Sequence, residues 1–210
     1  RQRQMCIRDS PSYTVVTPRQ LIATIKIIPL AVPNDVLIKA EKIAGSGTPI
    51  ISISPFQMIS VGLIMSRLPR MKESILDNTL KTVSARVSTY GSAITNEIRV
   101  GHDQEDVKRA IENMSSLCDI LLIFGASAVV DRHDVLPAAV ESAGGSVDHF
   151  GMPVDPGNLL FIGQRGGLPI VGMPGCARSP KLNGFDWVLW RLLANIEAVS
   201  YTHLRAHETR

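Results

Sequence analysis

Three short segments of the chain carry residue types that could bind a phosphate or a metal ion. The first is Ser66-Arg67, with Lys72 shortly after it. The second lies between residues 125 and 134 and contains Gly125, Ala126, Ser127, Ala128, Asp131 and Asp134. The third lies between residues 173 and 181 and contains Pro174, Gly175, Cys176, Arg178, Ser179 and Lys181. Small residues let backbone N–H groups approach an anion, cations attract phosphate, and carboxylates bind a hard metal ion or a proton.

The placement of these segments favours one shared site. Each follows an apolar run, at 59–65, 119–124 or 168–171, that indicates a buried parallel strand. The carboxyl ends of parallel strands meet at one edge of a sheet, where ligands bind in open α/β folds. Taken singly, the glycines could serve only turn geometry, Arg178 and Lys181 could be solvated surface cations, and Asp134 could be a helix N-cap. That plainer interpretation does not explain why three polar loops should lie at the same edge of the sheet.

The elements that position these loops follow from the apolar periodicity. It predicts strands at 59–65, 94–100, 119–124, 147–150, 159–162 and 168–171, with the last two forming a hairpin. It also predicts four helices. Three lie at residues 72–90, 135–143 and 181–196, and the fourth begins after an N-cap at Asp103. Strands that alternate with helices in this way indicate an α/β protein, here a three-layer αβα domain with a mostly parallel sheet.

Four segments of different character divide the chain. Residues 1–10 and 199–210 have no helix or strand period and resemble translated sequencing-adapter sequence, so we treat both as tails. Residues 11–57 look like a partial N-terminal segment, with strands at 23–29 and 49–54 around a helix at 35–44. Residues 58–198 form the main domain. The natural gene is expected to extend past both ends.

Composition excludes several classes of protein. The net charge of +3 comes from the two ends, since residues 1–10 carry +2 and residues 200–210 carry +1, which leaves the interior neutral and gives no argument for nucleic acid. A hydrophobic share of 45% with 20% charged residues excludes a disordered chain. The longest apolar runs are too short to span a bilayer, so we expect no membrane partner. Three cysteines form no disulfide framework, which favours the cytoplasm.

Other motifs predict less. The chain has no GxxxxGK[ST] phosphate loop, and its histidines and cysteines lack zinc spacing. The run Gly125-Ala126-Ser127-Ala128-Val129 nearly matches the nucleophile elbow of a serine hydrolase, with Asp148 and His149 downstream. Its fifth position is a β-branched valine where the sharp turn favours glycine. A serine hydrolase therefore stays as a distant alternative.

Two parts of the sequence resemble a known family. Residues 118–127, followed by Asp131 and Asp134-Val135, look like the strand, loop and helix of molybdopterin-binding domains, which occur in molybdopterin molybdenumtransferases and adenylyltransferases. Residues 153–158, the hairpin and residues 172–175 are similar to the family's later PG-hairpin-LPG arrangement. The resemblance covers about residues 59–195. In this chain Gly125-Ala126 stands in place of the usual double glycine, and Cys176 replaces the usual asparagine.

The resemblance implies a ligand, a set of site residues and a partner domain. The ligand would be molybdopterin, a pterin with a terminal phosphate, held by the second and third segments. Asp134 and Asp131 would be the catalytic residues and would bind Mg²⁺. Residues 23–29, 67–74 and 174–184 look closest to a bacterial subgroup in which this domain precedes a nucleotidyltransferase similar to molybdenum cofactor cytidylyltransferase. The domain would then present the pterin to that partner, or would itself be a transferase; a homo-oligomer is left open.

Overall fold

The fold is described from a computed structural model, which covers residues 10, 12–24, 31–45, 47, 49, 51–196 and 198. The chain divides into two compact units. One comprises Arg1–Pro55 with Arg205–Arg210, and the other comprises Phe56–Leu204. All three segments singled out for chemistry belong to the second unit.

The N-terminal unit contains helix α1, Asn34–Gly45, which confirms the predicted helix. The predicted strand at 49–54 is wrong, because residues 51–54 have no regular structure. Ile51 and Ile53 are 48% and 68% exposed, and no described residue of this unit forms a strand that could pair with them. The other predicted strand, at 23–29, lies mainly outside the described residues.

A six-stranded sheet forms the centre of the second unit. Its strands are β1 (Ser60–Arg67), β2 (Ala93–Gly101), β3 (Ile120–Phe124), β4 (Ser146–Phe150), β5 (Phe161–Arg165) and β6 (Leu168–Met173). They lie in the order β2-β1-β3-β6-β5-β4. Neighbours among β2, β1, β3 and β6 are parallel, and β5 is antiparallel to both of its neighbours. The sheet is therefore mostly parallel, as predicted.

Two pairs of helices cover the two faces of this sheet. Helices α2 (Glu73–Ser88) and α5 (Gly184–Leu193) pack against one face, and α3 (Gln104–Met114) and α4 (Val135–Ser142) pack against the other. Side chains of successive strand residues point to opposite faces, so Leu63 joins the first core and Ile64 the second. Both are fully buried. The structure confirms the three-layer αβα fold.

Two local details differ from or sharpen the predictions. The helix predicted from residue 181 begins instead at Gly184, because the Asn183 side chain and Asp186 form a reciprocal capping box there. The predicted hairpin turns on Gly166 and Gly167, whose φ values of 58° and 87° suit the left-handed geometry of a tight two-residue turn.

Candidate functional site

Four loops leave the sheet at one edge, where the parallel strands end. They follow Arg67 of β1, Gly101 of β2, Phe124 of β3 and Met173 of β6. The sequence predicted the first, third and fourth of these loops. The loop after β2 was not predicted to belong to the site. The available signal was the position of His102, which follows the predicted strand at residues 94–100 by two residues.

His102 joins the end of β1 to the loop after β3. Its Nδ1 lies 2.8 Å from Oγ of Ser66, and its Nε2 lies 3.0 Å from Oγ of Ser127. The backbone N–H of Ala126 donates to the Ser66 hydroxyl across 3.0 Å. Ser66 is fully buried and Ser127 is exposed, so the three side chains form a hydrogen-bonded chain from the core to the surface.

The loop after β3 needs its glycine and presents free backbone donors. A Cβ on Gly125 would lie 2.7 Å from the carbonyl oxygen of Ser127, so the tight start of the loop excludes a side chain there. Within the part of the chain that the structure describes, the N–H groups of Ser127 and Ala128 have no hydrogen-bond acceptor. Two successive free N–H groups on an exposed loop suit an anion.

The carboxylates of Asp131 and Asp134 bind their own loop. Asp134 Oδ2 accepts from the N–H groups of Val130, at 2.7 Å, and Asp131, at 3.0 Å. Asp131 Oδ1 accepts from the N–H of His133 at 2.7 Å. Asp134 stands at the backbone N-cap of α4, but its side chain does not cap the helix. One oxygen of each carboxylate makes no hydrogen bond to a described residue and is free for a cation.

Arg178 brings the loop after β6 to the same edge. The loop opens as a single 3-10 turn, Gly175–Arg178, and the Arg178 guanidinium lies 4.4 Å from the centre of the Phe124 ring at the end of β3. Its Nε is buried and has no hydrogen-bond partner among the described residues. Partial burial lowers the pKa of Arg178. A partly buried guanidinium that lacks a hydrogen-bond acceptor attracts an anionic ligand.

Gly175 leaves open space at the start of this turn. A Cβ there would meet no atom within 4 Å, and the residue does not have a positive φ. Neither backbone conformation nor packing therefore requires glycine at this position. Turn geometry therefore does not explain the glycine at position 175, whereas it does explain Gly166 and Gly167.

Arg86 of α2 fixes the rest of the loop, and no sequence pattern pointed to it. Its Nε donates to Asp186 Oδ1, and its Nη1 donates to the Ala177 carbonyl, each across 2.7 Å. Its Nη2 donates to the carbonyls of Ser179 and Lys181. A single buried guanidinium thus satisfies three loop carbonyls and one carboxylate.

The remaining predicted residues of this loop differ in accessibility. Lys181 is exposed and lies before α5 rather than in its first turn, which corrects its predicted place at a helix start. Ser179 and Cys176 are half-buried, and Pro174 is buried. Burial raises the pKa of the Cys176 thiol, which keeps it protonated and unreactive near neutral pH.

Arg67, a weaker phosphate candidate, takes part in an ion-pair network. It pairs with Glu73, whose other oxygen accepts from Arg99 at 2.8 Å, and Arg99 also pairs with Asp77. Arg67 nevertheless lines a cavity of about 560 Å³ together with Arg70, Met71, His102 and Asp103. This cavity borders the edge at which the loops meet.

The structure does not support the nucleophile elbow. Ten loop residues separate Phe124 from Val135, so Ser127 does not lie on a sharp strand-to-helix turn. The imidazole that Ser127 contacts belongs to His102 and not to His149, which is buried on β4. Over the described ranges, no group of three or more histidine, cysteine, aspartate or glutamate residues is placed to hold a metal ion. No described helix is long and apolar enough to cross a membrane.

Comparison with known proteins gives matches among solved structures only. No protein-family model and no curated protein matches the chain. A molybdopterin biosynthesis MoeA protein from Pyrococcus horikoshii superposes with a TM-score of 0.52 and 21% identity, over 66% of this chain and 35% of that one. A molybdopterin biosynthesis enzyme MoaB from Thermus thermophilus gives a TM-score of 0.47 and 14% identity, over 68% of this chain and 100% of that one. The first likeness shows the fold, and this chain spans about a third of the MoeA chain.

Proposed function

We propose that the Phe56–Leu204 unit binds molybdopterin at the edge where β1, β2, β3 and β6 end, as a step in molybdenum cofactor biosynthesis. The observation that carries the proposal is Arg178, whose buried Nε has no acceptor among the described residues although its guanidinium lies at this edge. A phosphate oxygen would give that nitrogen its missing partner. The fold shared with the molybdopterin biosynthesis MoeA protein supports the choice of ligand.

The remaining features of these loops suit the phosphate of such a ligand. The free N–H groups of Ser127 and Ala128 would donate to phosphate oxygens, and the open space at Gly175 would admit the ligand close to the backbone. The exposed Lys181 would add long-range attraction. Gly125, Ala126, Pro174, Cys176 and Ser179 would shape the loops without contributing charge.

We propose Mg²⁺ as the accompanying cation, with Asp134 as its first ligand and Asp131 as its second. The donor set fits, because each carboxylate retains one oxygen without a described hydrogen-bond partner, and Mg²⁺ in proteins commonly takes one or two carboxylates together with substrate phosphate and water. The cation would neutralise phosphate charge beside Arg178.

The finer proposal is that this unit presents the pterin phosphate to a C-terminal nucleotidyltransferase. The resemblance of residues 174–184 to that subgroup supports it. The alternative is that the unit is itself a transferase that uses Asp134 and Asp131. Turnover of adenylylated molybdopterin by this chain would favour the alternative, whereas binding without turnover would favour presentation.

We place the function in the cytoplasm, because Cys118 and Cys176 are free thiols.

Binding can be tested directly with anaerobically purified molybdopterin. Isothermal titration calorimetry of the full chain with Mg²⁺ should show one site, and the double variant Arg178→Ala/Lys181→Ala should bind more weakly. A charge-assisted contact contributes about 1.5–3 kcal/mol, so its loss raises Kd about 10-fold to 100-fold. Arg109→Ala is the matched control, since it removes an exposed arginine of α3 that pairs with Asp106. Equal affinity in all three proteins would contradict the proposal.

A further inference from the structure

The hydrogen-bonded chain Ser66–His102–Ser127 is not needed to bind a pterin. Ser66 Oγ lies 2.8 Å from His102 Nδ1, and His102 Nε2 lies 3.0 Å from Ser127 Oγ. The three residues come from the ends of β1, β2 and β3, and only Ser127 is exposed. A serine hydroxyl held on one imidazole nitrogen, with the other nitrogen oriented by a third group, is the arrangement that activates a nucleophile.

The contacts of Ser66 orient the imidazole for this role. Its oxygen accepts from the N–H of Ala126 at 3.0 Å, and its hydroxyl oxygen lies 3.4 Å from the carbonyl oxygen of Phe124, to which it can donate. We assign the Ser66 proton to the Phe124 carbonyl and the ring proton to Nδ1 of His102, which then donates to Ser66. Nε2 then holds a lone pair that faces the Ser127 hydroxyl. With this assignment, each of the three contacts of Ser66, to Ala126, Phe124 and His102, has one donor and one acceptor.

The surroundings of His102 favour the neutral ring at neutral pH. Burial lowers the pKa of His102 below its usual 6.5, against the opposing effect of the Asp134 and Asp103 carboxylates. A neutral imidazole can accept the serine proton.

The exposed end of the chain has donors for an anionic reacting group, and cations lie near it. His102, though not Ser127, lines a cavity of about 560 Å³ together with Arg67 and Arg70. The N–H groups of Ser127 and Ala128, which have no described acceptor, lie at the nucleophile itself and could stabilise a developing negative oxygen. Because the nearby groups are cations and free N–H donors, they suit a substrate with a phosphoryl group better than one with a neutral ester.

We propose that Ser127 is a nucleophile activated by His102 and positioned by Ser66, and that it attacks a phosphate ester or phosphate anhydride. The Ser127 Oγ lone pair forms the bond to phosphorus as the bond from phosphorus to the leaving oxygen breaks, and that oxygen keeps the electron pair. The Ser127 proton moves to His102 Nε2 and from there to the leaving oxygen. Water then attacks the phosphoserine in the same way and restores the hydroxyl. The proposal rests on this chain of contacts, and its test requires no pterin ligand.

The reactivity of Ser127 can be measured with diisopropyl fluorophosphate on the full chain. We expect a single adduct, located on Ser127 by peptide mass spectrometry, with loss of fluoride. Its rate should rise with pH through the pKa of His102, below 6.5, and then level off, because the neutral ring is the proton acceptor. Ser127→Ala should give no adduct. Ser142→Ala, which removes an exposed serine near the end of α4, should react as the parent does.

Variants of the other two residues separate catalysis from structure. His102→Asn keeps a donor towards Ser66 and removes the base, so labelling should fall at least 100-fold while the circular dichroism spectrum stays unchanged. Ser66→Ala removes the acceptor that stabilises the charged ring, so the midpoint of the pH profile should move to lower pH. A purely structural Ser66 would leave that midpoint in place. Absence of an adduct on Ser127, or labelling of His102→Asn at the parental rate, would overturn the proposal.

Discussion

Nε of Arg86 in α2 donates a hydrogen bond to Oδ1 of Asp186 in α5 across 2.7 Å, and both side chains are only 8% exposed. The same guanidinium holds the carbonyls of Ala177, Ser179 and Lys181. Asp186 in turn accepts from the N–H of Asn183 through its other oxygen. One buried ion pair therefore fixes both the loop that carries Arg178 and the start of α5.

Loss of Arg86 should destabilise the fold strongly. Arg86→Met leaves a buried carboxylate and three loop carbonyls without their donor, and removal of one partner of a buried pair costs about 3–5 kcal/mol. Urea unfolding followed by circular dichroism gives the free energy of unfolding. Arg109→Met is the matched control, because Arg109 pairs with Asp106 on the exposed side of α3 and should leave the stability unchanged within error. Equal losses in the two variants would show that Arg86 is not a structural clamp.

Gly125 and Gly175 should respond oppositely to alanine. Gly125→Ala places a Cβ 2.7 Å from the Ser127 carbonyl oxygen, so we expect a loss of about 1–3 kcal/mol in the free energy of unfolding. Gly175→Ala meets no atom within 4 Å, so stability should hold or rise by up to about 1 kcal/mol. Thermal and urea unfolding of both variants check this contrast.

Gly175→Ala also tests the proposed site. If the ligand approaches the backbone at Gly175, the methyl group should weaken molybdopterin binding even though the fold is intact. Titration calorimetry measures the change, and Gly47→Ala is the control, since a Cβ there also meets no atom within 4 Å. Full affinity in Gly175→Ala would move the ligand away from the loop after β6.

Arg178 should matter more for ligand binding than Lys181. The guanidinium of Arg178 is fixed against Phe124 with its Nε free of described partners, whereas Lys181 is an exposed side chain whose ordering would cost entropy. Arg178→Ala alone should raise Kd for molybdopterin about 10-fold or more, and Lys181→Ala alone should raise it less. A larger effect of Lys181 in calorimetry would reverse the assignment.

Asp134 tests the proposed Mg²⁺ site. Asp134→Asn keeps an oxygen acceptor for the N–H groups of Val130 and Asp131, so the loop should persist while the charge that a cation needs is lost. We expect near-parental stability with loss of Mg²⁺ dependence in ligand binding. Asp134→Ala should cost about 1–2 kcal/mol in the free energy of unfolding, because both backbone donors lose their acceptor.

Asp131→Asn is the matched comparison for that measurement. Among the described residues its carboxylate accepts only the N–H of His133, and Asp131 is more exposed than Asp134. We expect a smaller change in Mg²⁺ dependence than for Asp134→Asn. Retention of full Mg²⁺ dependence in both variants, measured by calorimetry with and without chelator, would show that this loop does not bind the metal.

The amino-acid sequence by itself determined the layers and located the sheet edge at which the candidate site lies. Strands such as β3 are apolar at every position because both faces are covered, and helices such as α3 repeat their apolar residues on one side, with Asp103 as the N-cap that was predicted. These signals are local, since they depend on residues within one or two turns. The loop at residues 125–134 and the loop at residues 174–181 could be located for the same reason.

Only the tertiary structure decided which side chains meet at that edge. His102 contacts Ser66 and Ser127 because the order β2-β1-β3 brings three separate strand ends together, and no local pattern records that order. Arg86 and Asp186 are 100 residues apart in the sequence, so no local pattern indicates that they form a buried ion pair. The predicted strand at residues 49–54 was wrong for the converse reason, because an apolar run becomes a strand only when a neighbouring strand is placed to bond with it.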